Sequence, residues 1–219
     1  MRAVFYGGGY YEDNVDLHRE LVRLSETKKP RITYIPSASD YGMVDFPDFV
    51  NSFRKVGKCS FLYFPVDRTV TPRLMREAMA SEVIFLSGGN TYGFLRDLRR
   101  QKLITALRDR AKNGTVMSGL SAGGILLTPS IQTASFPSWD RDENHVKIKR
   151  LDALGICNFD FFPHYSNSER YRKELSGYSK KSGRTLIATP DGGGLVVDED
   201  KMSLYGRCTR FHKGHVIKV

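Results

Sequence analysis

Short apolar runs alternate with longer amphipathic segments along this chain, and that alternation restricts the fold more than any other feature. Ala3–Tyr6, Ile32–Ile35, Phe61–Phe64, Val83–Leu86 and Thr115–Ser118 have the length and composition of strands. Between them the spacing predicts a helix from Asp13 or Asn14 to about Lys28, with Leu17, Leu21, Val22 and Leu24 inward. Further helices are expected from Phe46 to Lys55, from Thr71-Pro72 to about Ala80, after Thr91, and from Leu103 to Lys112. Pro72 suits a first helical position because its missing N–H would be unpaired there in any case. Strands separated by helices return in the same direction, so the pattern predicts a mostly parallel α/β sheet with helices on both faces.

Later strand candidates are Cys157–Phe161, Thr185–Thr189, Gly194–Val197, Met202–Tyr205 and His215–Val219. The close spacing of the last three predicts an antiparallel meander that closes one edge. Thr128–Val146 breaks the rhythm. It holds Pro129, Pro137, Trp139 and the run Asp140-Arg-Asp-Glu143, and reads as an excursion that borders a site. With no linker, repeat or low-complexity tract, a single domain over residues 1–219 is expected.

Gly119-Leu-Ser121-Ala-Gly123 matches the serine elbow G-x-S-x-G. The elbow chemistry requires a strand before the serine and a helix after it, and Thr115–Ser118 and Ala122–Leu127 supply them. Flanking glycines remove the Cβ atoms that would collide in so tight a turn. A packed turn with a structural serine is the alternative. A nucleophilic serine needs a base, and five histidines are available. His18 falls on an amphipathic helix and reads as a surface residue, His212 and His215 read as solvated, and His145 follows a charged loop. His164, in Phe161-Phe-Pro-His-Tyr165, lies just past a strand candidate, where parallel sheets place their sites. The base in turn needs an orienting carboxylate. Asp191 is a candidate beyond another strand; Asp140, Glu143 and Asp160 are the others. The order Ser…His…Asp differs from the Ser…Asp…His order of α/β-hydrolases.

Ser87-Gly-Gly-Asn-Thr91, Gly119-Leu-Ser-Ala-Gly-Gly124, Phe162-Pro-His-Tyr165 and Thr189-Pro-Asp-Gly192 occur in this order. The chain thereby resembles the dipeptidase E (aspartyl dipeptidase) family of serine peptidases, which also contains cyanophycinase. The resemblance implies a class I glutamine amidotransferase-like (flavodoxin-like) fold with antiparallel C-terminal strands. It implies Ser121 as nucleophile, His164 as general base, and Gly89 with the Ala122 N–H as oxyanion hole. Asp191 falls where the family usually has a longer glutamate, and Asp140 is the alternative third member. Family dipeptidases cleave after an N-terminal aspartate and hold its carboxylate with an arginine. Arg170 and Arg172, on a helix expected over Ser168–Lys180, are the candidates here. The reading is a serine peptidase for short peptides, above all dipeptides with an N-terminal aspartate. A polymer-degrading cyanophycinase fits the short chain less well. Another amidase or esterase on this fold, or a non-catalytic binding protein that keeps the elbow, are the alternatives.

Composition sets the remaining bounds. Lysine plus arginine is 34 against 24 acidic residues, a net charge of +10. That excess is compatible with acidic substrates, but no basic stretch is interleaved with aromatics, so no nucleic-acid partner is expected. No apolar run approaches the roughly 18 residues of a membrane span, so no membrane partner is expected. Cys59, Cys157 and Cys208 form no C-x-x-C pair, which argues against a metal site and for reduced, mostly buried thiols in a cytoplasmic protein. Neither metal nor organic cofactor is expected. The expected partner is a small peptide, and the expected assembly a monomer or homodimer.

Overall fold

The structure is a computed structural model and describes residues 1–217. Its strands are β1 (Arg2–Tyr6), β2 (Arg31–Ile35), β3 (Ser60–Tyr63), β4 (Val83–Leu86), β5 (Val116–Leu120), β6 (Asp160–Phe162), β7 (Leu186–Ala188), β8 (Gly194–Asp198), β9 (Lys201–Tyr205), β10 (Thr209–His212) and β11 (His215–Ile217). Its helices are α1 (Val15–Leu24), α2 (Ser39–Ser52), α3 (Pro72–Met79), α4 (Thr91–Arg100), α5 (Leu103–Lys112), α6 (Ala122–Leu127) and α7 (Glu169–Ser182). Among the described residues the strands form two sheets. The larger runs β3-β2-β4-β5-β1-β8-β9, parallel from β3 to β1 and antiparallel at β8 and β9. The smaller runs β11-β10-β7-β6, with β6 and β7 parallel.

Alternation along the central strands sorts side chains onto the two faces of the larger sheet. Ala3, Phe5, Ile84 and Leu86 pack with α4, α5 and α6 on one face. Val4, Tyr6, Val83 and Phe85 pack with Leu17 and Leu21 of α1 and Phe49 of α2 on the other. Burying each such phenylalanine contributes about 1.5–3 kcal/mol. The parallel α/β architecture with helices on both faces and antiparallel C-terminal strands is therefore as the sequence predicts.

Four local expectations need correction. The C-terminal meander is split: β8 and β9 close the larger sheet, whereas the strand beginning at His215 pairs with the unanticipated β10. The last two residues of that expected strand lie outside the described residues. The expected helix from Phe46 starts two turns earlier, at Ser39, because Asp67 accepts the Ser39 N–H at 2.9 Å from a distant loop. His18 is not on the surface. It has no exposed area and stacks on Phe53 at 4.2 Å between ring centroids. The α1 expectation ran past the observed end at Leu24. Thr71 caps α3 as expected, accepting from the Leu74 N–H at 3.1 Å. The three cysteines are free and half-buried, and burial pushes the Cys157 thiol up to about 12 and Cys208 to about 11.

Candidate active site

The elbow is a strand-to-helix turn. Phe5 and Tyr6 of β1 pair with Gly119 and Leu120 of β5, and the Ser121 N–H donates to the Tyr6 carbonyl at 3.0 Å. The chain then reverses into α6 within one residue. Ser121 takes φ 51 and ψ −112 to do so, a sparsely populated conformation that costs about 1–3 kcal/mol. A Cβ at Gly119 would overlap the Gly123 backbone, and one at Gly123 would overlap the Leu86 carbonyl. The motif's glycines are thus demanded by backbone packed against backbone.

His164 arrives from the other sheet. Its N–H donates to the Gly7 carbonyl at 2.8 Å, just past the end of β1. The following Tyr165 N–H donates to Thr189 at 2.9 Å, which ties the ends of β6 and β7 together. Gly7 N–H donates to Gly193 at 2.7 Å and Gly192 N–H to Gly8 at 3.1 Å, so the Asp191 turn hangs on the same glycine loop. The result is a hydrogen-bonded chain: Ser121 Oγ lies 2.8 Å from His164 Nε2, and Asp191 Oδ1 lies 2.6 Å from His164 Nδ1. A carboxylate can only accept, so Nδ1–H donates to Asp191 and Nε2 is left to accept the Ser121 hydroxyl. The side chains of His164 and Asp191 remain 47% and 61% exposed.

Gly8 permits this chain to assemble. At φ 143, a Cβ on Gly8 would overlap both Asp191 Oδ1 and the His164 ring. The run Gly7-Gly-Gly9, directly after the strand candidate Ala3–Tyr6, is the signal in the sequence for this loop. The close approach also answers how an aspartate reaches where a longer glutamate is usual. With no side chain at Gly8, the carboxylate sits directly over the loop.

The remaining candidates sort by position. Gly89 lines a cavity of about 460 Å³ together with Ser121 and His164, and Ala122 opens α6, where first-turn amides have no partner within the helix. Asp140 lines the same cavity but accepts from the Tyr171 hydroxyl, not from His164. Glu143 is paired with Arg141 at 3.2 Å. Asp160 is buried in β6 beneath the Tyr178 hydroxyl at 2.8 Å and Arg184 at 3.0 Å. His145 is exposed, and His212 bonds Thr185 at 3.1 Å. Arg170 and Arg172 are exposed on α7 and are not among the cavity-lining residues. The Arg170 guanidinium instead lies 3.4 Å over the ring of Trp139.

The segment Thr128–Val146 is the cavity's outer wall, contributing Thr133, Ala134, Phe136, Trp139, Asp140, Arg141 and Asp142. It is pinned to the start of α4: Asp142 accepts the Thr91 N–H at 2.7 Å, and Asn90 donates to the Glu143 carbonyl at 3.0 Å. The excursion that holds Trp139 and Arg141 was expected to border a site, but no binding role was assigned to either residue from the sequence.

The Peptidase family S51 profile matches residues 4–205. YgaJ, an uncharacterized peptidase of Bacillus subtilis, is 26% identical over 209 residues, covering 92% of this chain and 85% of that protein. Peptidase E of Salmonella arizonae is 30% identical over 136 residues, which is 58% of this chain and 56% of that protein. The fold is similar to the crystal structure of a Listeria monocytogenes EGD-e protein assigned to Peptidase E. That match has a TM-score of 0.72 at 17% identity and covers 93% of this chain and 96% of the other. With a family profile that runs from β1 to the end of β9 over this same elbow, the chain belongs to Peptidase family S51, the serine-type peptidases related to peptidase E.

Proposed function

We propose that this peptidase hydrolyses short peptides through an acyl-enzyme on Ser121, with dipeptides bearing an N-terminal aspartate as the preferred class. The observation that carries the reading is the unbroken chain Ser121–His164–Asp191 at the edge of a cavity of about 460 Å³. His164 Nε2 takes the Ser121 proton as Oγ attacks the peptide carbonyl, and Asp191 steadies the imidazolium that forms. The N–H groups of Gly89 and Ala122 face the developing oxyanion; one such donor is worth about 3–4 kcal/mol in the barrier. His164 then gives its proton to the leaving amine, and water, activated by the same nitrogen, releases the acyl group.

Arg141 is the cavity's own guanidinium and the group placed to meet an acidic side chain. On this reading Arg141, whose Nε also donates to Glu143, takes the acid-binding role in place of Arg170 and Arg172, which do not line the cavity. The test is amino-acid release from a panel of X-Leu dipeptides by wild type and Ser121→Ala. Asp-Leu should head the panel, and its cleavage should fall at least about 10⁴-fold in the variant. Cleavage that survives Ser121→Ala would remove the acyl-enzyme, and a panel without acidic preference would remove the aspartyl specificity alone.

A further inference from the structure

We propose that Asn14 is a positioning residue for the reaction: its side-chain amide sets the glycine loop on which Asp191 and His164 meet. The inference rests on the acyl-enzyme reading above. It adds to that reading a residue that does not line the cavity and acts only through the pair.

Three successive glycines leave Gly7–Gly9 a wide choice of backbone conformations. Gly8 and Gly9 take φ 143 and φ 81 out of that choice. Glycine permits these values but does not select them. Yet this loop carries the pair. The Gly7 carbonyl accepts the His164 N–H at 2.8 Å, and the Gly8 carbonyl accepts the N–H of Gly192, next to Asp191, at 3.1 Å. The side chains of His164 and Asp191 are both about half exposed, so core packing does not hold them together. Something beneath the loop has to fix its path.

Asn14 is that group. It closes the short 3-10 turn Tyr11–Asn14 that leads into α1, and it is 1% exposed. Its Nδ2 donates to the Gly8 carbonyl at 3.1 Å and to the Tyr10 carbonyl at 2.8 Å. Carbonyls only accept, so the amide must present its NH2 group to both. The two bonds bracket Gly9, and the Tyr10 N–H donates to Asp13 Oδ2 at 3.0 Å, which ties down the far end of the loop. The Gly8 carbonyl is the shared point. One of its lone pairs takes Asn14 and the other takes the Gly192 N–H. A change in the direction of that carbonyl is passed on to the Asp191 turn.

A second observation separates this role from general stabilisation. Asn14 Oδ1 is buried and has no hydrogen-bond partner among the described residues. A buried acceptor left unpaired is uncommon and lowers stability. The amide is therefore costly on one side and anchors the loop on the other, which is the compromise expected where geometry at a site outranks stability.

The experiment measures two rates on wild type, Asn14→Leu, Asn14→Ala, Asp191→Asn, and Asn14→Leu combined with Asp191→Asn. One is hydrolysis of Asp-Leu, read as kcat and KM. The other is phosphonylation of Ser121 by a fluorophosphonate, which needs the activated serine but no peptide. Leucine keeps the shape of asparagine and removes both donors. Asn14→Leu should lower kcat and the phosphonylation rate about 10²-fold, the scale of an ångström-sized misplacement, with KM within about threefold of wild type. Asn14→Ala should lower both rates similarly, and urea midpoints show which variants are folded. In the Asp191→Asn background, Asn14→Leu should cost less than about threefold, because its effect runs through Asp191. A further loss of about 10²-fold in that background would overturn the inference. Rates near those of wild type in both Asn14 variants would also overturn it, as would a raised KM with kcat intact, or failure of both variants to fold. A wild type that is phosphonylated but leaves Asp-Leu uncut would remove the dipeptide specificity and leave the inference to be decided by the phosphonylation rates. A wild type that is not phosphonylated would take down the acyl-enzyme reading, and this inference with it.

Discussion

His18 lies on α1 beneath the larger sheet with no exposed surface, whereas His164 stands beyond the end of β6 with 47% of its side chain accessible. Both rings have polar partners on both nitrogens. His18 Nε2 lies 3.0 Å from the Tyr11 carbonyl and Nδ1 3.0 Å from the Tyr6 hydroxyl. A carbonyl can only accept, so Nε2 carries the proton and Nδ1 receives the Tyr6 O–H. That ring is locked neutral inside an aromatic cluster of Phe49, Phe53 and Tyr6. At His164 the partners are a hydroxyl that can give up its proton and a carboxylate that welcomes the charge. The contrast shows that hydrogen bonds alone do not make a base. The ring must also be able to hold a proton, which requires water or a carboxylate beside it.

The sharpest way to break the comparison is to remove the carboxylate. Asp191→Asn should lower kcat for peptide hydrolysis about 10⁴-fold, because the amide can hold His164 in the wrong tautomer. Circular dichroism should be unchanged. A loss of under tenfold would mean that Asp191 is not the orienting group.

The second effect is on stability and belongs to His18. Burial lowers its folded-state pKa from 6.5 to about 4, against the raising effect of the Tyr11 carbonyl. Folding therefore favours the neutral ring. Its contribution is full above pH 6.5 and is lost as pH falls towards 4, by about 3 kcal/mol in all. Urea midpoints for wild type should drop over that window, and His18→Gln, less stable at pH 7, should show a shallower drop. Parallel curves for the two proteins would refute the assignment.

Gly8→Ala sharpens the other side. Its methyl group would displace His164 and Asp191. Misplacement on the ångström scale should cost about 10²-fold in kcat. The urea midpoint should move far less than the rate, and an unchanged rate would show that the glycine loop does not position the pair.

The two regions also differ in how legible they were. The parallel half, β1 to α6, followed from apolar runs, the cap at Thr71 and the glycines of the elbow. Each of these acts within a few residues of itself. Beyond Thr128 the reading weakened. β10 exposes all but one of its four residues to some degree, with Phe211 buried, so no apolar run announced it. The strand candidate at Cys157–Phe161 was displaced towards β6, where Asp160 is tolerated because Tyr178 and Arg184 satisfy it. His18 was misplaced because an amphipathic helix shows which residues turn inward only roughly, and α2 covers the flank on which it lies.

The sequence by itself determined the layered α/β order, the strained serine turn and the short list of titratable partners. Periodicity and Cβ sterics are local, so they can be read along the chain. Tertiary structure decided that Asp191 rather than Asp140 meets His164, that the Trp139–Asp142 loop walls the cavity, and that His18 is interior. Ser121, His164 and Asp191 are 43 and 27 residues apart in sequence. They meet because two separate sheets end on one glycine loop, and no local pattern encodes where two sheets will meet.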